Sequence, residues 1–296
     1  MLAKFGPAGN PDAFYDSGKS ASVDIPAWLA GLNLSAYEYQ CSRGVNIKEQ
    51  TAQAIGLQAA QYGISLSIHA PYYISLATED EGIAANTQKH FIKSLEVARW
   101  MGAERIVFHI GGPGKQERKA AMERAKQAFA AILEIIENRG LTGIYLLPET
   151  MGKQNQLGNL EEVLELCKMS PWVMPAVDFG HMHAVTGGGY TTCIEFAQVF
   201  ERIGEVLGTD IAKNLHIHFS KIEFTKAGEK RHWTFSDSFG PPYEPLIEVC
   251  AAHNYTPRII CESAGTQAAD ARTMQELYLS LLKDKDSGRK KTSSKY

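Results

Sequence analysis

Eight short β-rich runs recur along the chain, and an amphipathic helical segment follows nearly every one. The runs cover about 2–6, 35–40, 64–69, 104–109, 143–149, 172–178, 213–218 and 257–262. Between them, Phe91, Leu95, Ala98 and Met101 recur at three- and four-residue spacing after Asn86, a candidate N-cap. Met122, Ala125, Phe129, Leu133 and Ile136 do the same up to Gly140. Asn159 with Glu162 reads as a cap ahead of Val163 and Leu166, and the stripe from Phe196 to Leu207 closes at Gly208. Eight strand–helix units in 296 residues are the accounting of an α/β chain folded as one (β/α)8 TIM barrel. A doubly wound open sheet is the competitor, and the absence of a G-x-G-x-x-G after the first strand counts against it. The barrel is expected over 1–282, with 283–296 a basic, disordered tail.

Six of the eight runs end on a side chain able to ligate a metal: His69, His109, Glu149, Asp178, His218 and Glu262. The gaps between them are 40, 40, 29, 40 and 44 residues, each about one βα unit. Barrel closure would carry all six to the C-terminal face, where barrel active sites are built. Singly, each is a core histidine, a helix cap or an ion-pair partner. Together they are six carboxylates and imidazoles in a low dielectric, which bound cations would neutralise. Oxygen and nitrogen donors of this kind suit Zn2+, with Mn2+ as the alternative. His181 follows Asp178 by three residues and could reach a further ion, and His183 could support it. His216 and His218 share one strand face; His218, nearer the C-terminal end, is the expected ligand, and His216 belongs to the core or behind the ligands. His232 falls in what reads as a long loop after the seventh strand. The turn 111–115 (GGPGK) lacks full P-loop spacing and reads as a tight βα connection.

Composition narrows the options further. The five cysteines include no C-x-x-C pair, which disfavours a cysteine-ligated metal and fits a reducing, cytoplasmic setting. The opening 1–12 has no charged region followed by an apolar stretch, no apolar run is long enough to span a bilayer, and no membrane partner is expected. A net charge of −3 means that any nucleic-acid contact must come from a local basic face.

The stretches IHAPYYISL (68–76), VFHIGGPGK (107–115), LLPETMGKQNQLGNLEEVLELC (146–167), AVDFGHMHA (176–184), IHFSK (217–221) and CESAG (261–265) resemble the endonuclease IV family. That resemblance implies a (β/α)8 barrel with zinc ions at its C-terminal face, cleaving DNA 5′ to abasic sites with a hydroxide bridging the ions. By position, it implies that His69, His109 and Glu149 hold a first ion. Glu149, Asp178, His218 and Glu262 would hold a second, and His181 and His232 would belong to a third. Glu149 and Glu262 become the catalytic carboxylates. Tyr72, three residues after His69, would press against DNA, and Arg43 would offer it a positive charge. The family has an acidic residue two positions before its loop histidine. Here that position is Lys230, expected to stand in for the third ion as a fixed cation against phosphate, while Glu229 is off by one. Two or three zinc ions are therefore expected, in a chain taken as a monomer. A first alternative is a xylose isomerase-like sugar isomerase or epimerase, using one divalent ion on Glu149, Asp178, His218 and Glu262. A second is a non-catalytic barrel that senses a metal or a nucleotide.

Overall fold

The computed structural model describes residues 2–293, with side chains described through residue 285. All eight expected strands are present: β1 (Lys4–Pro7), β2 (Ala36–Gln40), β3 (Ser65–His69), β4 (Arg105–Phe108), β5 (Tyr145–Pro148), β6 (Ala176–Asp178), β7 (His216–Phe219) and β10 (Arg258–Cys261). The remaining two, β8 (Lys221–Thr225) and β9 (Gly228–Trp233), form an antiparallel hairpin where the sequence reads as a loop.

The eight barrel strands run in parallel as two four-stranded sheets, β1-β10-β7-β6 and β2-β3-β4-β5. Two seams close them into a ring. At one, Ala8 bridges Glu38 and the Ser35 N–H donates to the Phe5 carbonyl at 3.0 Å. At the other, Leu146 bridges Val173 and Glu149 bridges Ala176. Closure leaves no free strand edge in the ring and brings every C-terminal strand end to one mouth.

The helical stripes pack on the outside of this ring. Phe91, from the helix Glu81–Met101, meets Phe108 of β4 edge-on at 4.8 Å, and Phe129, from the helix Arg118–Asn138, reaches the same ring at 5.4 Å. The first of these helices starts five residues before Asn86. Asp80 caps it by accepting from the Ile83 N–H at 2.8 Å, so its opening turns are exposed to solvent and precede the apolar stripe. Asn159 and Glu162 do form a capping box. Glu162 is also gripped by Arg118 at 2.6 and 2.8 Å, which ties the β5 loop to the neighbouring helix. The last helix runs Gln267–Ser293, through the expected tail boundary at 282; residues 294–296 lie outside the described residues.

The β1–β2 seam depends on the absence of a side chain at Gly6. A Cβ there would lie 1.7 Å from the Ala36 carbonyl oxygen, a backbone atom of the facing strand. Gly6→Ala should therefore force the seam open and destabilise the fold by at least about 3 kcal/mol, read as a shift in the urea unfolding midpoint. A midpoint within error of the wild type would show that the seam does not hold the barrel closed.

Candidate metal centre

Glu149 sits at the centre of the barrel mouth, almost fully buried. Its Oε2 faces His69 Nε2 at 3.2 Å and His109 Nε2 at 3.0 Å. Its Oε1 faces His218 Nδ1 at 3.0 Å and His181 Nδ1 at 3.6 Å. Glu262 Oε1 lies 3.5 Å from the same His218 nitrogen. Asp178 Oδ1 caps the next helix through the His181 N–H at 2.7 Å, while its Oδ2 is buried with no hydrogen-bond partner. Glu149, Asp178, His218 and Glu262 thus converge as one potential ligand group, and His69, Glu149 and His218 as another. All six strand-end residues meet around one spot, as the spacing predicts.

The imidazoles are oriented from behind. His69 Nδ1 bonds the Ala70 carbonyl at 2.9 Å, and His181 Nδ1 bonds the Thr150 carbonyl at 2.9 Å. His232 Nδ1 contacts Ser220 Oγ at 2.8 Å. In each case Nε2 is left facing carboxylates, which is how a ligand histidine is held by its surroundings. This donor set fits divalent ions: nitrogen and oxygen atoms converge, and the buried Asp178 Oδ2 makes no hydrogen bond, its nearest imidazole nitrogen being His181 Nδ1 at 3.5 Å.

Without ions, protons must supply the balancing charge. Burial acts to raise the Glu149 carboxyl, but the His218 charge and the histidine hydrogen bonds outweigh it and hold it well below the usual range. Burial would lower His69; the hydrogen bond and charge of Glu149, aided by Glu38 and Glu262, instead raise it to about 9. His181 is likewise raised to about 9, against burial, by Asp178, Glu149, Glu229 and Glu262. His218 is raised well above its ordinary value, again against burial, by Glu38, Glu262 and Glu149. For His109, burial wins and the shift is downward.

The hairpin corrects the expectation for Lys230. Pairing runs Ile222 with His232 and Glu223 with Arg231, then steps to Phe224 with Glu229, leaving Lys230 as the extra residue of a β-bulge. The bulge puts Glu229 and His232, three apart in sequence, together beside His181. Glu229 meets His181 Nε2 at 3.5 Å and His232 Nε2 at 3.4 Å, forming a third potential ligand group. Burial would raise Glu229, but the His232 hydrogen bond and the charges of His181 and His232 lower it to about 2. Lys230 points away, mostly exposed and paired with Glu223, so it is not a cation standing in for an ion.

A cavity of about 410 Å³ opens over these groups, lined by residues that include His69, His109, Glu149, His181, Glu229, His232 and Glu262. Tyr72 stands at its wall, 56% exposed, its ring stacked on His109 at 5.6 Å. Lys153 and Gln156 also line it. Arg43 is exposed and is not among the lining residues. His183 is held by the Tyr190 backbone, outside the cavity. Sequence reasoning set Glu229 aside as off by one and missed Lys153 and Glu38. The last is a buried carboxylate on β2 that meets His216 and His218 at 3.0 Å each.

Fold and site together define a TIM-barrel protein with a carboxylate- and histidine-lined candidate metal centre. The chain belongs to the xylose isomerase-like TIM-barrel family, whose model matches residues 26–281. It is 33% identical over 265 residues to an uncharacterized protein of Methanocaldococcus jannaschii, covering 89% of this chain and 92% of that one. It is 27% identical over 199 residues to a Staphylococcus carnosus protein named "Probable endonuclease 4", covering 63% of this chain and 64% of that protein. Among solved structures, endonuclease IV from Thermus thermophilus superposes with a TM-score of 0.68 at 18% identity, over 96% of this chain and all of that one. A D-tagatose 3-epimerase-like protein superposes with 0.67 at 18% identity, over 95% and 99%. These two likenesses establish the fold. Among the described residues, no helix is long and apolar enough to cross a membrane.

The proton balance predicts two linked pH effects. His69 and His181 are raised above an unfolded value near 6.5, so their contribution is full below that pH and disappears as pH rises through about 9. Metal-free protein should therefore lose melting temperature between pH 7 and 9.5, and zinc-loaded protein should not. Zinc must displace these protons, so its affinity should rise about tenfold or more per pH unit from pH 7 to 8.5 in chelator-buffered titrations. A pH-independent zinc affinity would contradict these protonation states.

Proposed function

We propose that this chain is a metal-dependent phosphodiester hydrolase acting on DNA at abasic sites, the activity implied by its resemblance to endonuclease IV. The observation that carries the reading is the third donor group, His181, Glu229 and His232, beside the groups centred on Glu149. One-ion sugar chemistry would need only Glu149, Asp178, His218 and Glu262. Two further imidazoles on Glu149, and a bulge that turns Glu229 inward, have no use in it.

In this reading His69, His109 and Glu149 would hold one ion. Glu149, Asp178, His218 and Glu262 would hold a second, and His181, Glu229 and His232 a third; zinc suits these donors best, with manganese next. Such ions, when bound, lower the pKa of a ligand water and offset charge on a phosphoryl group. The residues do the rest. Glu149 spans two groups with its two oxygens and fixes their separation. Glu262, on the cavity wall, is positioned to orient a water and take up its proton at a carboxylate oxygen. Lys153 lines the same wall, where its positive charge would meet a phosphate. Tyr72, exposed and stacked on His109, offers an aromatic face at the mouth for an unstacked nucleotide. Arg43, on the surface outside the cavity, is available to the DNA backbone.

A sugar epimerase or isomerase remains the second reading. It is favoured by the cavity of about 410 Å³, a volume suited to a small polar substrate, around the four-ligand group.

The deciding experiment incubates zinc- or manganese-loaded protein with an oligonucleotide carrying one abasic site. Cleavage 5′ to the site is expected, with Glu149→Gln and Glu262→Gln each slower by at least about 1,000-fold. Glu229→Ala should lose one ion per chain by elemental analysis and most of the cleavage. Intact oligonucleotide together with metal-dependent interconversion of ketoses would assign the site to the second reading. Neither reaction, in protein that holds its ions, would leave a sensing role.

A further inference from the structure

Beneath the three donor groups already described, Glu38 and His216 converge with His218 as a fourth, and the proposed hydrolysis uses neither Glu38 nor His216. Glu38 of β2, Ser67 of β3 and His216 of β7 meet inside the barrel, all with zero exposure. Glu38 Oε2 faces His216 Nε2 at 3.0 Å and accepts from Ser67 Oγ at 2.9 Å. Its Oε1 faces His218 Nε2 at 3.0 Å and accepts from Gln40 Nε2 at 3.2 Å. Arg258, the neighbour of His216 in strand register, spends its guanidinium on the Leu66 carbonyl and Glu104. Barrel interiors are ordinarily filled by branched apolar side chains, and a buried carboxylate costs several kcal/mol unless it is paired. Packing alone does not explain this layer.

The geometry of His218 does. His69, His181 and His232 aim Nε2 at the carboxylates, with Nδ1 hydrogen-bonded to the Ala70 carbonyl, the Thr150 carbonyl and Ser220, although His181 Nδ1 also lies 3.5 Å from Asp178 Oδ2 and 3.6 Å from Glu149 Oε1. His218 is turned the other way: its Nδ1 faces Glu149 and Glu262. It lies within β7 and points into the barrel, where its Nε2 meets a carboxylate from another strand instead of a local carbonyl. The two nitrogens His216 Nε2 and His218 Nε2 lie 3.3 Å apart, each 3.0 Å from its own oxygen of Glu38, so each donates a proton to that carboxylate and the His218 Nδ1 lone pair is left for the ion site. We infer that Glu38 is a positioning residue that fixes His218 with its proton on Nε2 and so presents Nδ1 to the ions, while His216 and Ser67 hold Glu38 in place. This rests on the reading of His218 as an ion ligand.

The test measures zinc binding to the full chain by competition with a chromophoric chelator, alongside nitrogen NMR of 15N-histidine-labelled, zinc-loaded protein. In the wild type, His218 should resonate as zinc-bound at Nδ1, with a downfield Nε2–H proton. Glu38→Gln should weaken zinc binding by about 10–100-fold and move that proton upfield, changes that a role confined to fold stability would not produce. His216→Gln keeps the carboxylate and removes one of its anchors. It should give a smaller loss of affinity, and it serves as the test if Glu38→Gln does not fold. Wild-type protein that binds no zinc would overturn the ion-site reading and this inference with it. Normal wild-type binding with both variants unchanged, or His218 bound through Nε2, would overturn only the role assigned to Glu38.

Discussion

The structure turns on one electrostatic constraint: a buried carboxylate, Glu149, held within 3.0–3.6 Å of four imidazoles. Left as bare ions in a low dielectric, such groups would cost more than the surrounding barrel could recover. Charge must be balanced locally, by protons on the histidines or by divalent ions in their place. The raised pKa values of His69 and His181 describe the first state, and the convergence of donors on Glu149 and an Asp178 Oδ2 without a hydrogen bond describe readiness for the second. Metal affinity, pH and stability are therefore facets of one equilibrium.

The barrel is what makes that constraint possible. Each βα unit contributes little by itself, one donor at a strand end. Ring closure, secured where Gly6 lets β1 approach Ala36, assembles those donors into a site. The mouth is then finished by segments outside the ring. The Arg118–Glu162 pair anchors the loop after β5, and the β8–β9 hairpin brings Glu229 and His232 over His181.

How much of this was legible in the sequence follows from the physics of each part. The strands and the six strand-end donors were legible because βα units have a nearly constant length and donors at their ends stand out from apolar runs. The helix stripes were legible through their own periodicity, although Asn86 is not the cap it resembles: apolar periodicity starts only where the helix meets the core, well after Asp80 has begun it. The third ligand group was misread because a spacing rule assumes an unbroken strand. One bulged residue, Lys230, shifts the inward face and replaces a cation with Glu229. Glu38 was invisible because, between Tyr37 and Tyr39, it looks like an ordinary polar position on a strand. Only closure of the ring sets it against histidines 178 and 180 positions away in the chain.

The central claim is that these donors are gathered to hold several divalent ions around one shared carboxylate. It is tested most directly by X-ray anomalous scattering at the zinc edge from crystals of zinc-loaded protein. The account predicts three anomalous peaks at the barrel mouth, two flanking Glu149 and one between His181, Glu229 and His232. A single peak confined to Glu149, Asp178, His218 and Glu262, or none at the mouth, would contradict it.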